Sequence, residues 1–159
     1  MGAKSEALAK QFEAKVQHVT AEMEKLSPAS WQKTTAGEKW TVGVVAHHVA
    51  NSHEGIANLI KAVAAGQAMP PLTMDLLHDM NAKHAQEHAK ATKAETVALH
   101  KKNATAAAAV VRGLSDQQLA TTATVLQGMP AMSVEQMITG ILVQHIDEHM
   151  GSIRKSVGS

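Results

Sequence analysis

Apolar positions recur along most of this chain at the spacing of one helix face. Leu8, Phe12, Val16, Val19, Met23 and Leu26 predict a helix over residues 3 to 26, which Ser27-Pro28 ends because the residue before a proline is pushed out of the helical region. Val44, Val45, Val49, Ile56, Leu59, Ile60 and Val63 predict a second helix, capped by Thr41 and running to about Ala65. The stretch 66 to 72, GQAMPPL, breaks the pattern. A third helix follows in two pieces, about Thr73 to Ala89 and Thr92 to Arg112. Glu95 completes a capping box with Thr92, and Gly113 is a natural stop. Ser115 to Leu119 fits one helical turn, and 120 to 132 reads as an irregular connection around Gly128-Met-Pro130. Ser133, with Gln136 three residues on, opens a last helix reaching Ser156. In the loop 28 to 40, Trp31 and Trp40 carry too much apolar surface to be left free and are expected to pin it to the rest.

Four long amphipathic segments predict an all-α protein, a four-helix bundle. The two long connections, 28–40 and 120–132, leave room for a helix order other than simple up-and-down. Composition agrees: alanine, methionine and unbranched or aliphatic residues dominate, with one Phe, two Trp and no Tyr. A chain of 159 residues without internal repeat is expected to be one domain, 1–159. Its net charge of +1 gives no attraction to nucleic acid or an anionic membrane. The absence of cysteine excludes thiolate nucleophiles, disulfides and cysteine-ligated zinc. No run approaches a membrane span, and the opening MGAKSEALAKQFEAKV carries acids in place of an apolar signal core, so a cytoplasmic location is expected. A charge near zero and an alanine-rich surface are compatible with a homodimer.

The unusual count is ten histidines. On a wheel of about 100° per residue, His145 and His149 fall amid the stripe of Val134, Ile138, Ile141, Leu142 and Ile153. Two neutral imidazoles at i, i+4 can meet one metal ion, but one helix rarely completes a site. On the second helix, His48 lies about 60° from the mean apolar direction and His47 nearly opposite it. His48 is therefore the candidate third ligand, and His47 is expected in solvent. His53 lies toward the other edge of the stripe, and Asn51 and Ser52, a turn beyond His48, are candidates to support a site. His84 and His88 form a rival i, i+4 pair beside Met74, Leu77 and Met80, but Lys83, Glu87 and Lys90 suggest the bundle's edge. His18, His78 and His100 are expected to be solvated. The string His145-Ile-Asp-Glu148-His149 also matches an inverted zinc-protease signature. Only ten residues follow it, too few for the downstream carboxylate ligand, and no protease body is evident.

The segments Trp40-Thr-Val-Gly-Val-Val-Ala-His-His48-Val and His145-Ile-Asp-Glu-His149-Met-Gly-Ser-Ile resemble the two motifs of the DinB-like superfamily, W-[ST]-V-x5-H-[LV] and H-x3-H-x-G-[QS]-I. The spacing from Trp40 selects His48 over His47, as the wheel does. The resemblance implies a bundle with crossed connections of the up-down-down-up type. It implies a divalent metal, zinc or nickel, held by His48, His145 and His149, with open positions. It also implies thiol-dependent chemistry on a small molecule, as in mycothiol-dependent maleylpyruvate isomerase and low-molecular-weight-thiol S-transferases. Ser152 stands where glutamine is common in the family. Since the chain has no cysteine, a thiol would arrive as cosubstrate. The alternatives are a metal-dependent hydrolase on the same site, or a metal-bearing binding or stress-response module without turnover. No general base is evident: Glu148 points about 80° from the two ligands and Asp147 to the far side.

Overall fold

A computed structural model describes residues 2–67 and 70–158. Positions 1, 68, 69 and 159, including part of the break expected at 66–72, lie outside the described residues. The helices are α1 (Ala3–Lys25), α2 (Pro28–Trp31), α3 (Val42–Ala64), α4 (Met74–Glu87), α5 (Lys93–Arg112), α6 (Asp116–Leu119), α7 (Val134–Met137) and α8 (Gln144–Val157). A π-helical segment, Ile138–Val143, joins α7 to α8, so the three form one long last helix. Side-chain caps set the starts: Thr41, Thr73, Thr92, Ser115 and Ser133 each accept an amide hydrogen bond from their own first turn. The connection after α6 contains a two-residue antiparallel pair, Thr122–Ala123 with Met132–Ser133.

Cross-links fix the helix directions. Lys93, at the start of α5, donates to the carbonyls of Glu24 and Leu26 at the end of α1, while Arg112 at its other end pairs with Glu6. α1 and α5 are therefore antiparallel. Trp31 touches both Gly43 at the start of α3 and Ala91 just before α5, and further along His53 meets His100, so α3 and α5 run the same way. Lys15 pairs with Asp147 and Glu22 with Arg154, which makes the last helix parallel to α1. The order is up-down-down-up, as the family resemblance implies.

Packing explains two departures from a simple helical wheel. Residues 42 to 50 of α3 are buried on every side, because α2, α4, α5 and α8 all close around its first turns. A wheel assumes one wet face, and here there is none. On the last helix, the π-turn inserts extra backbone and moves the buried stripe to Ile146, Met150 and Ile153. His145 and His149 thus sit at the edge of the core, half-buried, and not in its middle. The alanine-rich stretch of α5 supplies Ala104, Ala107 and Ala108 to the core, letting α5 approach α1 and α3 closely. α4 is the exception among the longer helices: none of its residues is buried, and Met74, Leu76 and Met80 are about half exposed. Of the apolar residues expected beside His84 and His88, Met74 and Met80 face solvent and Leu77 is half-buried.

Candidate metal centre

The start of α3, the end of α4, the turn before α3 and α8 meet at one end of the bundle. His48, His145 and His149 come together there, with one ring nitrogen from each within 4.8 Å of the others. The Nε2 atoms of His48 and His145 are 3.0 Å apart. In a tetrahedral site with metal–nitrogen bonds of about 2.0–2.1 Å, ligand nitrogens lie roughly 3.3 Å apart, so the rings stand near ligating separation. Burial, with the neighbouring imidazoles adding to it, pushes His48 and His145 down to about 3. Both are neutral at pH 7, which is the ligating form. The other nitrogen of His145, Nδ1, is buried without a hydrogen-bond partner among the described residues. Convergent all-nitrogen donors, with no protein carboxylate among them, fit a borderline divalent transition-metal ion.

Glu38 was not singled out by the sequence, yet it organises this cluster. Its Oε2 lies 2.6 Å from His149 Nδ1, and its Oε1 accepts from Ser152 Oγ at 2.5 Å. Burial works to raise the Glu38 carboxyl, but the bonds from Ser152, His149 and Thr35 outweigh it and hold the group below its ordinary value, ionised. A carboxylate at Nδ1 fixes the tautomer of His149 and turns Nε2 toward the other two rings. The turn from Thr34 to Thr41 places Glu38: these two residues form a β-bridge, Thr35 and Trp40 are bonded across it, and Lys39 takes a left-handed φ of 61°. Few side chains accept that conformation without support, and here it aims Glu38 at α8. Trp40 packs edge-on against the His48 ring, with centroids 5.5 Å apart. Trp31 is held by its Nε1 donating to the Ala91 carbonyl, 3.0 Å away. It lies so close to α3 that a Cβ on Gly43 would come within 2.3 Å of it. Both tryptophans thus pin the loop to the bundle, as expected, and Trp40 does so at His48.

Other candidates fare differently. Asn51 is exposed, and Ser52 donates to the His48 carbonyl, not to its ring. Glu148 is exposed and accepts a hydrogen bond from Gln144, and Asp147 faces Lys15. Among the described residues neither is hydrogen-bonded to the imidazole cluster, in keeping with setting aside the protease signature. His18 is exposed beside Glu22, and His78 is exposed. Two expectations are corrected. His100 is fully buried, bonded to His53 (Nδ1 to Nε2, 3.0 Å) between α5 and α3, because a second buried imidazole is there to receive it. His47 is also buried, since its side of α3 is covered by α4. With His84 and His88 it forms a second cluster of three rings, again with one nitrogen from each within 4.8 Å. The adjacent pair His47-His48 was the available signal: neighbours on a helix point about 100° apart and can serve two sites.

A groove of about 670 Å³ runs beside His149 and Glu38, bordered by Thr34, Gly37, Ser152 and Lys155. Among the described residues, no helix is long and apolar enough to cross a membrane.

Comparison with known proteins gives the family. Residues 5–145 match the mycothiol maleylpyruvate isomerase N-terminal domain, and the chain belongs to that family. No curated protein matches the sequence. Among solved structures, mycothiol-dependent maleylpyruvate isomerase superposes with a TM-score of 0.73 at 13% identity, over 96% of this chain and 63% of that one. A point variant of that isomerase gives 0.74 at 11% identity over the same shares. This chain therefore spans just under two thirds of the isomerase. YfiT from Bacillus subtilis, described as a probable metal-dependent hydrolase with an unusual four-helix bundle topology, gives 0.68 at 18% identity over 99% of this chain and 90% of that one. At these identities the likeness is one of fold.

Proposed function

We propose that this member of the mycothiol maleylpyruvate isomerase N-terminal domain family is a metal-dependent enzyme that adds or exchanges a low-molecular-weight thiol on a small electrophile. His48, His145 and His149 would hold the ion, zinc or nickel. The observation that carries the reading is the convergence of three imidazole nitrogens, one of them oriented by the Glu38 carboxylate. Three protein ligands leave a position open, as in catalytic and not structural sites. A divalent ion held there supplies Lewis-acid activation of a thiol or water at that position. The chain's own residues do the rest. Burial keeps His48 and His145 unprotonated, Glu38 holds the proton of His149 on Nδ1, and Ser152 holds Glu38. The chain has no cysteine, so the sulfur nucleophile comes from a cosubstrate. Lys155, bordering the groove beside His149, offers a positive charge to an acidic group on the electrophile.

A metal-dependent hydrolase is the second reading. It is favoured by the near full-length match to YfiT, against 63% of the isomerase. One pair of measurements tests both: metal content of the purified protein beside His149→Ala, and turnover of electrophile and ester panels with and without added thiol. Metal in the wild type that His149→Ala loses, with thiol-dependent turnover, supports the first reading. Thiol-independent turnover supports the second. A wild type that takes up neither zinc nor nickel refutes both.

A further inference from the structure

His47, His84 and His88 are not used by the centre described above. They converge from two helices. His84 and His88 are one turn apart at the end of α4, where His88 forms the C-cap and its amide bonds to the His84 carbonyl. His47 comes from the first turns of α3. His47 Nδ1 lies 2.9 Å from His84 Nε2, and the His88 ring stacks on His47 with centroids 4.2 Å apart. His84 Nδ1 is buried and has no hydrogen-bond partner among the described residues. One shared proton answers His47 Nδ1 and His84 Nε2, but leaves His84 Nδ1 unanswered among the described residues, with the His88 ring stacked alongside.

The setting on α4 sharpens the question. A helix normally docks by burying an apolar face. α4 buries no residue and leaves Met74, Leu76 and Met80 about half exposed. Its described ring contacts with α3 are all made by histidines: His84 with His47 and His48, and His88 with His47. Its partly buried residues are Leu77, Asn81, His84, Ala85 and His88, so at its C-terminal end the packing is made by one alanine and two imidazoles.

We propose that His47, His84 and His88 form a second divalent transition-metal site, which staples the end of α4 to α3. The donor set is three imidazole nitrogens with no carboxylate, suited to nickel, zinc or copper and not to magnesium or calcium. The site is distinct from the first in all three ligands, but the two share a wall: His47 and His48 are consecutive, and the His84 ring is 5.6 Å from that of His48. Loading the second site fixes α4 beside the first, so the ion acts on the bundle's open end as a clasp. The inference does not depend on what the first site catalyses.

The test is titration of metal-free protein with nickel or zinc by calorimetry, with amide hydrogen exchange of residues 74–87 followed alongside. Wild type, His149→Ala, His88→Ala and His88→Gln are compared, with circular dichroism as the folding control. Two ions per chain are expected in the wild type. Either His88 variant should keep one ion and lose the metal-induced protection of α4. His149→Ala should keep that protection. A single ion that His88→Ala abolishes and His149→Ala leaves would also support the second site, while removing the first. A stoichiometry untouched by both His88 variants, or α4 exchange unchanged by metal, overturns the proposal.

Discussion

Glu38→Gln is the most informative single change at the candidate centre. Gln keeps the size of the side chain and one acceptor oxygen, but removes the charge that His149 Nδ1 and Ser152 Oγ address. If the carboxylate orients His149 as a ligand, the loss falls on metal affinity. Carboxylates behind a ligating histidine are worth about 10–100-fold in affinity, which is about 1.4–2.7 kcal/mol. The same quantity can be read as thermal stability. Binding to the folded state alone stabilises by RT ln(1 + [L]/Kd), about 4.1 kcal/mol at 1,000 times Kd. A Kd 10–100-fold weaker at the same ion concentration forfeits about 1.4–2.7 kcal/mol of that. For a chain of this length each kcal/mol moves Tm by about 2–4 °C, so the metal-induced shift should shrink by about 3–11 °C. The assay is paired: Kd by calorimetry, and Tm with and without zinc, each variant referred to its own metal-free state. That reference removes whatever Glu38 contributes to the bundle without metal. Ser152→Ala should show the same effect at smaller size, because Glu38 keeps its bond to His149. Glu148→Gln, whose hydrogen-bond partner is Gln144 and not His149, should show none. A Glu38→Gln protein binding zinc within about twofold of wild type would refute the orienting role.

Three further outcomes follow from other parts of the molecule. His53 is buried against His100 and pushed down to about 3, chiefly by burial, so it stays neutral in the fold while its unfolded counterpart protonates near pH 6.5. The unfolded state then binds more protons below pH 6.5, and stability is full above that pH and falls beneath it. At pH 5.5 His53 alone should cost about 1.4 kcal/mol, and the pH dependence of urea unfolding should flatten in a His53→Leu, His100→Leu double variant. An unchanged slope would count against it. Gly43→Ala would set a Cβ within 2.3 Å of the Trp31 ring, which α2 and the Ala91 carbonyl hold in place. Overpacking of about 1–3 kcal/mol should outweigh the helix-propensity gain of up to about 1 kcal/mol, lowering Tm and red-shifting tryptophan emission; a stabilised variant would contradict the packing. Finally, added nickel should quench fluorescence from Trp40, whose ring lies 5.5 Å from His48, in wild type but less in His145→Ala, and equal quenching in both would place the ion elsewhere.

The parts of the fold that follow from local chemistry were readable in the chain. Thr41, Thr92, Ser115 and Ser133 announce helix starts through a side-chain oxygen acting within its own turn, and each does so in the structure. The stripe Leu8, Phe12, Val19 and Met23 is buried because α1 has one covered face and one wet face, which a wheel presupposes. The crossed order was not derivable from periodicity, which is silent on direction. It came from the family resemblance, and in the structure it is enforced by distant pairs such as Lys93 with the end of α1 and Glu22 with Arg154.

The candidate site divides along the same line. His48 and the pair His145 and His149 were legible because each is tied to a helix and a motif. The wheel angle that favoured the pair was nonetheless computed for an unbroken α-helix, and the π-turn at Ile138–Val143 shifts the stripe to Ile146 and Met150. The pair survives this error because i, i+4 spacing lies wholly within α8 and is untouched by a register change upstream. Glu38 had no such local handle. It reaches His149 across 111 positions, from a turn whose shape rests on a left-handed residue at Lys39 and a bridge between Thr34 and Thr41. His47 failed for the opposite reason: its direction on the wheel was right, but the face it points to is covered by α4, a helix with no fully buried residue. A helix docked by histidines, with its methionines left in water, is invisible to any method that locates contacts by hydrophobicity, and that is why α4 is where metal dependence of the structure itself should be sought.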